Sequence, residues 1–96
     1  MGLKEVLQEK RQEILAIAAK HGAYNVRIFG SVARGEADEK SDVDILVESG
    51  LETSSWFPAG LIIDLKELLG CEVDVVTEAG LRPRIKDKVL KEAIPL

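Results

Sequence analysis

Asp42 and Asp44 stand two residues apart at the head of an apolar run, Asp42-Val43-Asp44-Ile45-Leu46-Val47. Side chains alternate faces along a strand, so the two carboxylates project together while Val43, Ile45 and Val47 enter the opposite layer. Neighbouring carboxylates repel, and burying them is costly unless a cation neutralises them. Hard oxygen donors suit Mg²⁺, which takes one or two carboxylates and completes its shell with a substrate's phosphates. Just upstream, Phe29-Gly30-Ser31-Val32-Ala33-Arg34-Gly35-Glu36 reads as a strand end running into a glycine turn. Such a turn exposes backbone N–H groups, and Ser31 and Arg34 add a hydroxyl and a guanidinium, all suited to phosphate. Arg34 has a second option, an ion pair with Glu36 or Asp38. Phosphate on one side and metal on the other point to metal-assisted phosphoryl or nucleotidyl transfer.

A third acid, Asp74, lies in the middle of Cys71-Glu72-Val73-Asp74-Val75-Val76-Thr77. A charge inside a β-branched run is disfavoured, so it calls for a reason beyond folding. Adjacent strands lie about 4.8 Å apart. If this strand neighbours the one carrying Asp42 and Asp44, the three acids share a sheet face. Three such acids can hold two cations about 3.5–4 Å apart, the geometry that stabilises attacking and leaving oxygens in an in-line displacement.

The elements that must position these groups follow from periodicity. Leu3, Val6, Leu7, Ile14, Leu15, Ile17 and Ala18 recur at helical spacing, predicting one helix over 3–20 that ends at His21-Gly22. Residues 23–29 and 42–48 read as strands, and 30–34 as a helical turn. A helix capped by Ser54 or Ser55, with Pro58 in its first turn, carries Leu61, Ile62, Leu65, Leu68 and Leu69 as its buried stripe up to Gly70. Residues 71–77 form a third strand and 84–93 a last helix, with Ile85, Val89 and Ala93 inward and Lys86, Lys88 and Lys91 outward. The fold class is therefore α/β, a small sheet with helices packed against it, in one domain spanning 1–96. Trp56 and Phe57 are expected to pack in the core or against a helix, and Cys71 to be a small buried hydrophobe. The basic run Arg82, Arg84, Lys86, Lys88 and Lys91 reads first as a solvated helix face, with docking of an acidic partner or reach toward phosphates as the alternatives.

Composition narrows the classes. The 96 residues are 46% hydrophobic and 31% charged, without an apolar run long enough to span a bilayer or a signal-peptide pattern. One cysteine fits a reducing compartment, and a cytoplasmic, non-membrane protein is expected. The net charge of −4 argues against direct nucleic-acid binding. His21 is the only histidine and sits at a helix end, which removes a Ser-His-Asp mechanism, and no Walker A or dinucleotide fingerprint is present.

The set Gly30-Ser31, ten intervening residues, Asp42-Val43-Asp44, and Asp74 on a later strand resembles the nucleotidyltransferase superfamily of DNA polymerase β. In length and order the whole chain resembles the minimal nucleotidyltransferase (MNT) proteins, whose fold is a small mixed sheet flanked by helices. The resemblance implies an antitoxin that transfers AMP from ATP to a tyrosine of a cognate HEPN-domain toxin. It implies that Gly30 and Ser31 hold nucleotide phosphates, that Asp42 and Asp44 bind two Mg²⁺ ions, and that Asp74 binds one metal and helps activate the acceptor hydroxyl. The alternative is an antitoxin that neutralises its partner by binding alone.

If carboxylates and phosphates each supply part of one metal shell, ATP and Mg²⁺ bind together. Calorimetry should show ATP affinity falling strongly in EDTA and in Asp42→Asn; equal affinity with and without metal would overturn the shared-shell reading.

Overall fold

The computed structural model describes residues 2–37, 42–53 and 56–96. Two helices, α1 (Leu3–Glu9) and α2 (Arg11–Lys20), lead into strand β1 (Ala23–Phe29) and a one-turn helix α3 (Gly30–Ala33). Strand β2 (Val43–Ser49), helix α4 (Ala59–Leu69) and strand β3 (Val73–Thr77) follow, then helix α5 (Pro83–Glu92) and a short strand β4 (Ile94–Pro95). A 3₁₀ turn at Glu78–Gly80 links β3 toward α5. The four strands form one mixed sheet in the order β3-β2-β1-β4. β1 runs antiparallel to both β2 and β4, while β2 and β3 are parallel. A parallel pair needs a crossover, and α4 supplies it.

The sheet divides the chemistry. Val43, Ile45, Val47, Val73 and Val75 lie on one face, each buried in a cluster with Leu7, Ile14, Ala18, Leu61 and Leu65 from the helices. α2 packs on β1, α4 on β3, and the two helices on each other. The other face carries the acids at one end and Leu46, fully buried, further along β2. Arg27 crosses that face to Glu78, with Nη2 donating over 2.8 Å.

The predicted strands over 23–29, 42–48 and 71–77 are present, with the second and third starting at Val43 and Val73. The predicted helix over 3–20 is broken at Lys10, which adopts φ −96° and ψ 13°. The cause is visible in the residues: Lys10 and Arg11 occupy the positions three and four after Leu7, where the apolar stripe should continue. Turning the chain there lets Leu7 and Ile14 both reach the core, and frees Arg11 Nε to donate to the backbone oxygen of Leu96 at 2.8 Å. α4 begins at Ala59 with Pro58 as its N-cap; the predicted Ser54 and Ser55 caps lie outside the described residues. Trp56, expected in the core, is 83% exposed. β4 has no alternating pattern to announce it and is held by pairing with Arg27 and Ile28. Among the described residues no helix is long and apolar enough to cross a membrane.

His21 is buried and shares a 2.7 Å hydrogen bond with Asp64 of α4. This bond holds the Asp64 carboxyl below its usual range. Behind it Gly22 turns the chain with φ +81°, and a Cβ there would overlap the Glu52 carbonyl oxygen and lie 2.9 Å from Thr53 Cα. Both neighbours are backbone, and Gly22 oxygen itself accepts from Gly50 N at 2.9 Å. Gly22→Ala should therefore cost about 2–4 kcal/mol from left-handed strain plus overlap. A thermal melt followed by circular dichroism should show a drop on the order of 10–20 °C; an unchanged midpoint would mean that the 50–53 loop yields freely.

Candidate active site

Parallel register pairs Asp44 directly with Asp74, and antiparallel register pairs Phe29 with Asp44. Phe29, Asp44 and Asp74 therefore form one row across three strands on one face. Asp42, two residues before Asp44, precedes the ladder where Val43 N donates to Glu72 O at 2.9 Å. Asp42 and Asp74 are exposed and Asp44 is half-buried. The conditional expectation that the second and third strands are neighbours is met.

A cleft of about 510 Å³ opens over Phe29, Asp42 and Asp44. Gly30, Ser31 and Arg34 of the glycine turn form one wall, and Asp42 and Asp44 the floor. Ile85, Lys88, Val89 and Glu92 of α5 form the other wall. Asp74 stands beside Asp44 on the next strand, outside the residues that line the cleft. The first-turn N–H groups of α3 have no partner within that helix, which suits them to an anion.

Gly30 has φ +74°, and a Cβ there would run into the Asp44 carboxylate. The close approach that demands glycine is thus made by the site's own acid as well as by any ligand. Arg34 donates from Nε to Glu36 at 3.0 Å and from Nη1 to Glu92. These two bonds, Glu36 first, raise the guanidinium's already high pKa. Arg34 makes the expected ion pair with Glu36 and a second with Glu92, which lies 58 residues away. Asp38 lies outside the described residues. Lys88, expected on the outer side of the last helix, lines the cleft with Glu92, which the basic run does not include; the signal for both is their spacing with Ile85 and Val89.

Burial pushes the Asp44 carboxyl up, and Asp74, Asp42 and Glu92 push it further, with Arg34 opposing. An acid in that position gains from a cation. Among the described residues no group of three His, Cys, Asp or Glu side chains converges to hold a metal by itself. The donors are nevertheless hard oxygens beside a phosphate-suited turn, which fits Mg²⁺ shared with a substrate rather than a closed protein cage.

The family model of the nucleotidyltransferase domain matches residues 4–96. The chain belongs to the nucleotidyltransferase family. A Methanocaldococcus jannaschii protein named provisionally as a protein adenylyltransferase is 44% identical over 88 residues, covering 92% of this chain and 95% of its own. The protein adenylyltransferase MntA of Thermococcus cleftensis is 35% identical, covering 96% and 90% respectively. A solved chain described provisionally as a minimal nucleotidyltransferase superposes with a TM-score of 0.87 at 49% identity, covering all of this chain and 97% of its own. A toxin–antitoxin structure with AMP-PNP shares the fold at a TM-score of 0.75 and 20% identity, over 88% of this chain and 69% of its own. The expected class, α/β with a small mixed sheet in minimal nucleotidyltransferase form, is the class observed.

Because the folded protein holds the Asp44 proton more tightly than the unfolded chain, stability falls as pH rises from the ordinary value of 3.8 through the raised one. The deficit persists at neutral pH. Asp44→Asn should therefore raise the melting temperature at pH 7, by about 4–8 °C for each kcal/mol of burial and repulsion cost relieved. The gain should vanish below pH 3.8, where the carboxyl is protonated in both states. Equal melting temperatures at pH 7 would show that the ionised Asp44 carboxyl costs the fold nothing through burial or repulsion.

Proposed function

We propose that this nucleotidyltransferase transfers AMP from ATP to a tyrosine hydroxyl of a HEPN-domain toxin and acts as its antitoxin. The observation that carries the reading is the register that sets Asp44 beside Asp74 under a phosphate-suited turn. The relatives named as protein adenylyltransferases support protein as the acceptor. The AMP-PNP toxin–antitoxin structure supports an adenine nucleotide and a toxin partner.

Asp42, Asp44 and Asp74 would hold two Mg²⁺ ions together with the phosphates. When bound, the metal neutralises phosphate charge and makes the acceptor hydroxyl easier to deprotonate. Gly30 and Ser31 take phosphate oxygens through backbone N–H groups and the Ser31 hydroxyl, fixing the α-phosphorus in line with the acceptor. Arg34, at the end of that turn, is placed to follow the phosphates once released from Glu92. Asp74, exposed on the edge strand, meets the incoming tyrosine, orients its oxygen and favours loss of its proton. The oxygen–phosphorus bond forms as the α–β anhydride bond breaks and pyrophosphate leaves. Proximity and orientation provide much of the acceleration, and the partner protein provides the surface that presents its tyrosine.

The test is intact-mass spectrometry of a cognate helical partner after incubation with ATP and Mg²⁺. Wild type should add one or more AMP groups and abolish toxicity, and Asp42→Asn/Asp44→Asn should add none. An unchanged partner mass with wild type, together with full neutralisation by the double variant, would leave a binding antitoxin.

A further inference from the structure

We infer that Lys88 binds the nucleotide's phosphate tail, making α5 a functional wall of the site. This rests on the nucleotide-transfer reading. Ile85, Lys88, Val89 and Glu92 are separated by three, one and three residues along α5, so they share one face. All four line the cleft. Val89 is 7% exposed and fixes the rotation of the helix. Lys88 is exposed, and that rotation places it on the rim of the cleft as one of its lining residues.

Charge accounting then separates the two cations of the cleft. Arg34 is held by Glu36 and Glu92. Among the described residues Lys88 makes no ion pair. A triphosphate brings several negative charges into a cleft that already holds Asp42, Asp44 and Glu92. Metal against the floor neutralises part of that load, and the part facing α5 needs its own cation. An ammonium on a flexible four-carbon stem suits phosphate oxygens as a mobile point charge. It lines the same cleft as the Gly30-Ser31 turn, so both can reach one phosphate chain. The base, which carries no anionic oxygen, offers Lys88 nothing comparable.

The experiment uses the full chain and two probes, ATP and inorganic triphosphate, titrated by calorimetry with Mg²⁺ present. Lys88→Met should weaken both probes by about ten- to hundredfold, the range of a charge-assisted hydrogen bond. Lys88→Arg should retain most of the affinity. Lys91→Met removes the same charge from a position of the same helix that does not line the cleft and should change binding by less than about twofold, as screened surface charges do. Thermal melts of each variant check that α5 stays folded. Wild-type affinity in Lys88→Met, or an equal loss in Lys91→Met, would overturn the assignment. A wild type that binds neither probe would overturn the nucleotide reading, and this inference with it.

Discussion

The half-buried Asp44 carboxylate, costly to desolvate and set beside Asp74, is the constraint around which the rest of this chain is arranged. Parallel pairing sets the two carboxylates side by side, and a sheet left to itself would avoid that row. What enforces it lies on the opposite face. Val43, Ile45, Val47, Val73 and Val75 are buried beneath α2 and α4, and each contributes roughly 1.5–3 kcal/mol of apolar burial. A slip of one residue would turn all of them to solvent. The acids are held together by an apolar layer that touches none of them.

That division of labour explains what the residues disclose on their own. Alternation around Asp42, Asp44 and Asp74 reveals both strands and the shared face, because period two survives in sequence. The glycine turn is equally legible, since Gly30 and Ser31 follow directly on a strand. What stays hidden is contact between elements distant in the chain. Glu36 is an evident partner for Arg34, whereas nothing near Arg34 announces Glu92. The rotation of α5 about its axis, which brings Lys88 and Glu92 to the cleft, depends on where Val89 finds burial. The break at Lys10 had a local sign, two cations interrupting the apolar stripe, that a seven-position count of hydrophobics overrides. Trp56 shows the limit of placing apolar residues inside, a rule that runs in one direction only.

The mixed topology also sets how the cleft is approached. β2 is flanked by β1 and β3, so Asp44 is shielded on both sides. β3 is an edge strand, leaving Asp74 exposed where a large acceptor has room to come in. The half-buried member of the acid row thus lines the cleft, and the exposed member stands outside it.

The position of Trp56 has an optical consequence. It is the only tryptophan in the chain and stands 83% exposed, next to Phe57 and Pro58, which line a groove beside β3. Its indole is solvated in the native state much as it is in an unfolded chain, so its emission carries little information about the core. What that emission does register is any surface that settles on the shoulder beside β3. The protein is nearly silent about its own unfolding and responsive to company at that edge.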